Sequence, residues 1–262
     1  MQGNDMGQLA EQVAGLIVNS KRCIVFSGAG ISTESGIPDF RGDDGIWTKM
    51  DPEDFTIQRF TARPEVRKMQ WKLLSQGGLV KDVQPNAAHY AIAEMEKLGR
   101  LDCVVTQNID NLHQMAGLPD EKVFELHGNM QYARCLTCRK RYPMAEIMAR
   151  LAVEELPECE ACRGILKPDA VYFGEMLPQA VLSEASRRAK QCDLCIVIGS
   201  TLLVNPAALI PEYAHNAGAK IVIINIGATS MDSKADVRIE GRAGETMGRV
   251  MQHVRDGISP PS

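Results

Sequence analysis

Cys23-Ile24-Val25-Phe26-Ser27-Gly28-Ala29-Gly30-Ile31-Ser32-Thr33-Glu34-Ser35-Gly36 decides the fold of this chain, and Ile-Pro-Asp-Phe-Arg-Gly completes the stretch at residues 37–42. The run 23–26 is apolar throughout, as expected of a strand covered on both faces. It ends in closely spaced glycines and then hydroxyls, a pattern built to receive a pyrophosphate. Glycine lets the backbone approach phosphates closely, and N–H groups at a following helix start point at them. Gly28 and Gly30 supply the first two glycines of a dinucleotide fingerprint, but Thr33 stands where the third belongs. A dehydrogenase helix needs that glycine to pack on its sheet. The loop therefore predicts nucleotide chemistry other than routine hydride transfer.

Outward from this strand, similar short β-branched runs recur at 103–106, 123–126, 170–173, 195–198 and 221–224. Helical patterns lie at 8–18, 86–98, 178–189, 206–217 and 245–254, with Asn86 and Pro178 as starts and Gly99 and Gly218 as stops. Strands alternating with helices predict an α/β fold, a Rossmann-like, mostly parallel sheet with helices on both faces. Two stretches break the rhythm. Residues 43–83 carry scattered aromatics and no convincing strand, and are read as a helical or loop insertion. Residues 129–167 carry cysteines and are read as a zinc-ribbon insertion forming a smaller lobe. That leaves 1–42, 84–128 and 168–257 for the nucleotide-binding domain, with a disordered tail at 258–262.

The chain has 262 residues, eight cysteines and a formal net charge of −4. It has no long apolar run to span a bilayer. Its first residues lack a basic start followed by an apolar stretch, so a cytoplasmic, reducing setting is expected. The acidic balance argues against stable binding to nucleic acid, although Arg134, Arg139, Lys140 and Arg141 form a small basic patch. Cys135-x-x-Cys138 and Cys159-x-x-Cys162 have the spacing of four thiolates around one zinc ion. Four protein ligands leave no position for water, so this zinc is expected to be structural. Cys192 and Cys195 repeat the spacing, but on a strand they would face opposite sides; they are read as packing residues, with Cys23 and Cys103.

Polar groups follow several strands: Thr106-Gln-Asn-Ile-Asp-Asn-Leu-His113, His127-Gly128, Phe173-Gly174-Glu175, Gly199-Ser-Thr-Leu-Leu-Val-Asn-Pro206 and Asn225. An open parallel sheet keeps its chemistry at these strand ends. Taken with residues 28–42, the cysteine pairs and Lys167-Pro-Asp-Ala-Val-Tyr-Phe-Gly-Glu175, this order resembles the sirtuin family of NAD-dependent protein deacylases over nearly the whole chain. One departure is Gly199-Ser-Thr, where many members read Gly-Thr-Ser.

The resemblance implies removal of an acyl group from lysine at the expense of NAD, giving nicotinamide, O-acetyl-ADP-ribose and deacetylated lysine. It implies His127 as the catalytic base, with His113 as runner-up, and Asn108 as its catalytic companion. Gln107, Asn108, Ile109 and Asp110 would line the nicotinamide–ribose end. Gly28, Ala29, Gly30, Thr33, Asp39, Phe40 and Arg41 would hold phosphates and ribose, with Phe40 shielding the sugar. Gly199, Ser200 and Thr201 would meet phosphate or ribose, Asn225 and Ile226 the adenosine, and Ala243 the adenine. Val171, Phe173, Gly174 and Glu175 on one side, and Val204 and Asn205 on the other, would take an acetylated protein or peptide as an added strand. Sirtuins that accept acidic acyl groups carry Tyr-x-x-Arg after the loop; Trp71 and Leu74 stand at those places here, which implies acetyl over succinyl. Mono-ADP-ribosyl transfer is the alternative activity on the same loop. Nothing in the pattern specifies an oligomeric state.

Overall fold

A computed structural model describes residues 2–39, 45–48, 50–77 and 83–258. Phe40, Arg41 and residues 259–262 lie outside them. The central sheet is built from β1 (Cys23–Ser27), β2 (Cys103–Thr106), β3 (Val123–Glu125), β7 (Leu194–Ile198), β8 (Lys220–Ile224) and β9 (Val237–Ile239). All neighbours are parallel, in the order β3-β2-β1-β7-β8-β9. A second, antiparallel sheet holds β5 (Arg141–Pro143), β4 (Gly128–Cys135) and β6 (Leu166–Ala170), in that order.

Side chains alternate across the sheet, so each strand feeds two apolar layers. Val25, Val104, Ile196 and Val222 pack with α1 (Gln2–Asn19), α4 (Ala87–Lys97) and α9 (Ala243–Ile258). Ile24, Phe26, Cys103, Val197 and Ile221 pack with α7 (Gln179–Ala189) and α8 (Leu209–Asn216). Helices thus cover both faces. α4 begins on Asn86, whose side chain accepts from the Ala88 N–H. The same side chain donates to Ile31 O and Ser35 Oγ, tying the helix start to the glycine loop.

The stretch after the loop holds α2 (Ile57–Ala62) and α3 (Pro64–Ser75). A short α5 (Leu112–Met115) follows β2, and α6 (Met144–Leu151) follows β5. The small lobe has its own core of Ala133, Cys135, Tyr142, Ile147, Cys159 and Leu166. Trp71 of α3 is buried in that core, and Leu74 packs against it.

Three expectations are corrected and one strand is added. The strand expected at 170–173 is β6, which ends at Ala170 and belongs to the small sheet. Its Lys-Pro-Asp centre hid the strand from a search for apolar runs. The edge strand β9, Val-Arg-Ile, is too short for its period to register. Cys192 and Cys195 do not face opposite sides: Cys192 precedes β7, and both thiols lie in the α7–α8 layer. Ile258, assigned to the tail, is the last residue of α9.

Candidate active site

The chain order of the strands reverses between β1 and β7. β1, β2 and β3 run outward on one side, and β7, β8 and β9 on the other. A crevice at the carboxyl ends of the strands is expected at such a switch point. Gly28 and Gly30 leave β1 there and meet Gly199 leaving β7. Gly30 N–H donates to Gly199 O at 2.8 Å. A Cβ on Gly30 would lie 2.8 Å from Gly199 Cα, and one on Gly28 2.8 Å from Gly199 O. The glycines are therefore required first by this loop-on-loop contact. The loop itself does not open an α-helix; residues Ala29–Ser35 form a 3₁₀ helix. That is the physical reason Thr33 can replace the third glycine. Thr33 is exposed, and its hydroxyl donates to Gly30 O.

Behind the crevice lies a polar chain. Asn108 Nδ2 donates to Ser32 Oγ at 3.1 Å, and Ser32 Oγ donates to Asp110 Oδ2 at 2.7 Å. The other Asp110 oxygen accepts from Leu112 N–H at the start of α5. All three side chains are buried. The Asn108 carbonyl oxygen has no partner among the described residues. Ser32 was not among the residues singled out from sequence; only folding brings its hydroxyl between Asn108 and Asp110. Below it, His113 Nε2 contacts Ser27 Oγ at 2.8 Å, and Ser27 Oγ donates to Thr106 Oγ1. Ser27 therefore accepts from the His113 ring. His113 is 1% exposed, and burial holds its pKa well below the usual histidine value. It is buried away from solvent beneath the site.

His127 lies between β3 and β4. Its Nδ1 is 2.9 Å from Gln107 O. A carbonyl only accepts, so Nδ1 carries the proton and Nε2 presents a lone pair. Burial lowers the His127 pKa, partly offset by this hydrogen bond, and the ring stays neutral. Gln107 links two strand ends: its side-chain oxygen accepts from Ser200 Oγ at 2.8 Å, and its N–H donates to Ser27 O. Ile109 O accepts from Met130 N–H. Thr201 O accepts from Ser230 N–H. Asp39 O accepts from Ile46 N–H.

The adenosine-side residues also gather at strand ends. Asn225 is buried after β8, and Ile226 beside it is exposed. Arg238 of β9 donates to the Asn225, Gly227 and Ile239 carbonyls and pairs with Asp232, a clamp that the sequence did not announce. Ala243 opens α9. The next N–H, of Gly244, donates to Glu34 Oε2 at 2.5 Å, so a carboxylate from the glycine loop caps the positive end of that helix. These features fit a dinucleotide: a glycine crevice at the switch point, hydroxyls on both lips and a buried polar chain behind.

On the other side of His127, its carbonyl accepts from Val171 N–H at 2.8 Å. Phe173 pairs with the helical insertion, donating to Phe55 O and accepting from Ile57 N–H. Glu175 N–H closes a turn onto Tyr172 O, with Gly174 inside it at φ 84°. Val204 O accepts from Ala208 N–H ahead of α8, and Asn205 is exposed.

The four cysteines of the small lobe converge, with their sulfurs all within 4.8 Å of one another. Thr137 and Cys138 donate backbone N–H groups to Cys135 Sγ. Each pair closes in the same way: Arg139 (φ 65°) donates to Cys135 O, and Arg163 (φ 61°) donates to Cys159 O. Two matching turns around four sulfurs fit one tetrahedral zinc. The remaining cysteines, 23, 103, 192 and 195, are buried, and burial raises the pKa of each thiol, to about 12 for Cys103 and Cys192.

Known proteins are similar to this chain in sequence and fold. NAD-dependent protein deacylase 2 of Archaeoglobus fulgidus is 44% identical over 93% of this chain and 95% of its own length. NAD-dependent protein deacetylase 1 of Pyrobaculum aerophilum is 44% identical over 94% of each. A solved structure of Sir2 with a p53 peptide and NAD+ is 37% identical, with a TM-score of 0.82 over 95% of this chain and 98% of that one. The Sir2 family pattern matches residues 28–206. With that match, and with relatives this similar along nearly the whole length, the chain belongs to the Sir2 family.

Proposed function

We propose that this protein is an NAD-dependent protein-lysine deacetylase, with nicotinamide, O-acetyl-ADP-ribose and deacetylated lysine as products. The relatives bear deacylase and deacetylase names, and solved Sir2 structures hold acetylated peptide or NAD+. The observation that carries the reading is the double attachment of His127. Its ring is fixed on Gln107 from the nucleotide side, and its carbonyl is fixed on Val171 from the peptide side.

Bound NAD supplies a glycosidic bond whose cleavage activates the sugar carbon toward the otherwise inert acetamide oxygen. The protein's own groups do the rest. His127 Nε2, neutral and unprotonated, takes a proton from a ribose hydroxyl; such a base contributes about 10²–10⁴ in rate. Asn108 is the catalytic companion, its free carbonyl oxygen accepting from a ribose hydroxyl or an ordered water. Asp110, braced by Ser32, accepts from the carboxamide of the nicotinamide. Gln107 and Ile109 line the same end. Gly28, Ala29, Gly30, Thr33, Asp39, Gly199, Ser200 and Thr201 surround the phosphates and adjoining ribose, with Phe40 and Arg41 assigned to the same loop. Asn225, Ile226 and Ala243 take the adenosine.

The peptide adds as a strand between Val171–Glu175 and Val204–Asn205, read mainly by its backbone. Phe173 has its ladder groups engaged by residues 55–57, so pairing on that side falls to Val171 C=O and the Gly174 backbone. An ionised lysine is excluded from the acyl tunnel by the cost of burying an unpaired charge. The α3 residues Trp71 and Leu74 offer no cation to a succinyl carboxylate, and Arg67 is committed to the carbonyls of Phe60 and Thr61. Acetyl is therefore preferred.

We divide the chain into a Rossmann-like NAD-binding domain (1–42, 84–128, 168–257) with two insertions, helical (43–83) and zinc-binding (129–167). The pairing of Gly128 with Ala170 supports a seam there. No helix among the described residues is long and apolar enough to cross a membrane; unpaired cysteines and an acidic charge support a cytoplasmic setting without stable nucleic-acid binding.

The test is incubation with NAD and an acetyl-lysine or succinyl-lysine peptide, read by mass spectrometry, with wild type beside His127→Ala. The expected result is free lysine with O-acetyl-ADP-ribose, a higher kcat/KM for acetyl, and loss of about 10²–10⁴ in kcat in the variant. Full activity in the variant rejects the base; a mass gain of ADP-ribose on the acceptor instead supports ADP-ribosyl transfer.

A further inference from the structure

Lys167 is only 4% exposed, and none of the roles assigned above uses it. A buried ammonium must be paired and hydrogen-bonded to be tolerated. Lys167 meets that demand completely. Its three donors go to Pro168 O at 3.0 Å, to Ala170 O, and to Glu175 Oε2 at 3.0 Å. The Tyr172 ring lies against it, with its centroid 4.1 Å from Nζ. Every one of these partners belongs to residues 168–175, so the segment is folded around its own cation. Glu175 Oε2 also accepts from Tyr172 N–H at 2.8 Å, which ties the turn to the same carboxylate. From the far side, Tyr172 Oη donates to Gln70 Oε1 at 2.5 Å, and Gln70 Nε2 donates to Asp54 O. The buried network therefore joins β6, the turn after it and α3.

This is the segment that presents Val171 and Gly174 to a peptide and hangs from the His127 carbonyl. Among the described residues, no link of the network reaches the glycine loop, Ser200 or Asn225. We propose that Lys167, Glu175, Tyr172 and Gln70 are positioning residues for the acyl-lysine peptide, holding residues 171–175 as a preformed edge at the register an added strand reads. Glu175 thereby acts from beneath, through Lys167, with that carboxylate oxygen turned inward. An apolar residue in place of Lys167 would fill the space without directing the segment. The ammonium gives three fixed directions, and an edge already ordered spares the peptide the cost of ordering it. The inference rests on the deacetylase reading.

The experiment compares wild type with Lys167→Met, Glu175→Gln and Tyr172→Phe. It measures KM for acetyl-lysine peptide, KM for NAD, kcat, zinc content and Tm. The expected result is a peptide KM raised about tenfold in Lys167→Met and about threefold in Tyr172→Phe, with NAD KM near the wild-type value. A second substrate, methylated on the backbone nitrogens beside the acetyl-lysine, separates positioning from general damage. It weakens binding to wild type, and adds little further loss in Lys167→Met if that residue acts through main-chain pairing. Fully additive losses, or wild-type peptide KM values in the variants, overturn the inference while leaving the deacetylase reading standing. A wild type that turns over no acetyl-lysine peptide overturns both. If Lys167→Met does not fold, Tyr172→Phe carries the test alone, because it keeps the ring against the ammonium and removes only the latch to α3.

Discussion

His127 is defined by what its two faces touch. Nδ1–H is held by a carbonyl, and that bond leaves Nε2 as the acceptor. Burial is the larger influence on its pKa and favours the uncharged ring. The consequence for pH is directional. A base works when unprotonated, so kcat/KM for NAD is level at high pH and falls as pH drops through the His127 pKa. Because that pKa is lowered, the midpoint of the acid limb is expected below about 6.5, the ordinary histidine value. A pH–rate profile measures it, and a midpoint above that value contradicts the desolvation argument. His89 and His113 show the same physics without the chemistry. Their rings pack 5.1 Å apart between centroids, and burial lowers the His89 pKa to about 4. Both are held neutral in the interior. The stability their neutrality contributes is complete above the unfolded histidine value and is lost as pH falls toward the folded one.

At the scale of elements, the site is a meeting of loops. In the turns after β1 and β7, Gly30 and Gly199 meet backbone to backbone, and neither position has room for a side chain. Gly30→Ala places a methyl 2.8 Å from Gly199 Cα, a backbone atom that cannot rotate away. Overpacking of this kind costs about 1–3 kcal/mol. The variant is expected to lose stability of that order in urea unfolding and to bind NAD more weakly by calorimetry. Unchanged stability and affinity would show that the two turns can separate freely. The α4 start takes part in the same arrangement, since Asn86 caps its helix and holds Ile31 O and Ser35 Oγ. One side chain thus joins helix initiation to the shape of the nucleotide loop.

At the scale of the molecule, the two lobes are stabilised in different ways. The large one has two continuous apolar layers against a six-stranded sheet. The small one has a handful of buried side chains, a three-stranded sheet and four convergent thiols. A core that small does not hold itself without a staple. Zinc binding is expected to contribute on the order of 10 kcal/mol to folding it. Treatment with a strong chelator should remove one zinc per chain and abolish deacetylation, while the helical signal of the large lobe persists. Activity continuing after metal analysis shows the zinc gone would refute this dependence. The loss is structural in origin: β6 ends at Ala170, one residue before Val171 bonds to His127, so melting the lobe releases the peptide side of the site.

By itself the sequence determined what depends on local chemistry. Alternating apolar runs and helical periods set the α/β class, two Cys-x-x-Cys pairs set the metal, and the polar residues following Phe26, Thr106, Leu126 and Ile198 set the ring of candidate site residues. Tertiary structure alone decided what depends on register and proximity. A strand as polar as Leu166–Ala170 exists because β4 pairs with it, and Val237–Ile239 exists because β8 does. Ser32 became part of the polar chain, and Lys167 the centre of the peptide-side segment, through contacts that no spacing encodes. Hydrophobic period is a property of neighbours along the chain, whereas a satisfied buried polar group is a property of neighbours in space.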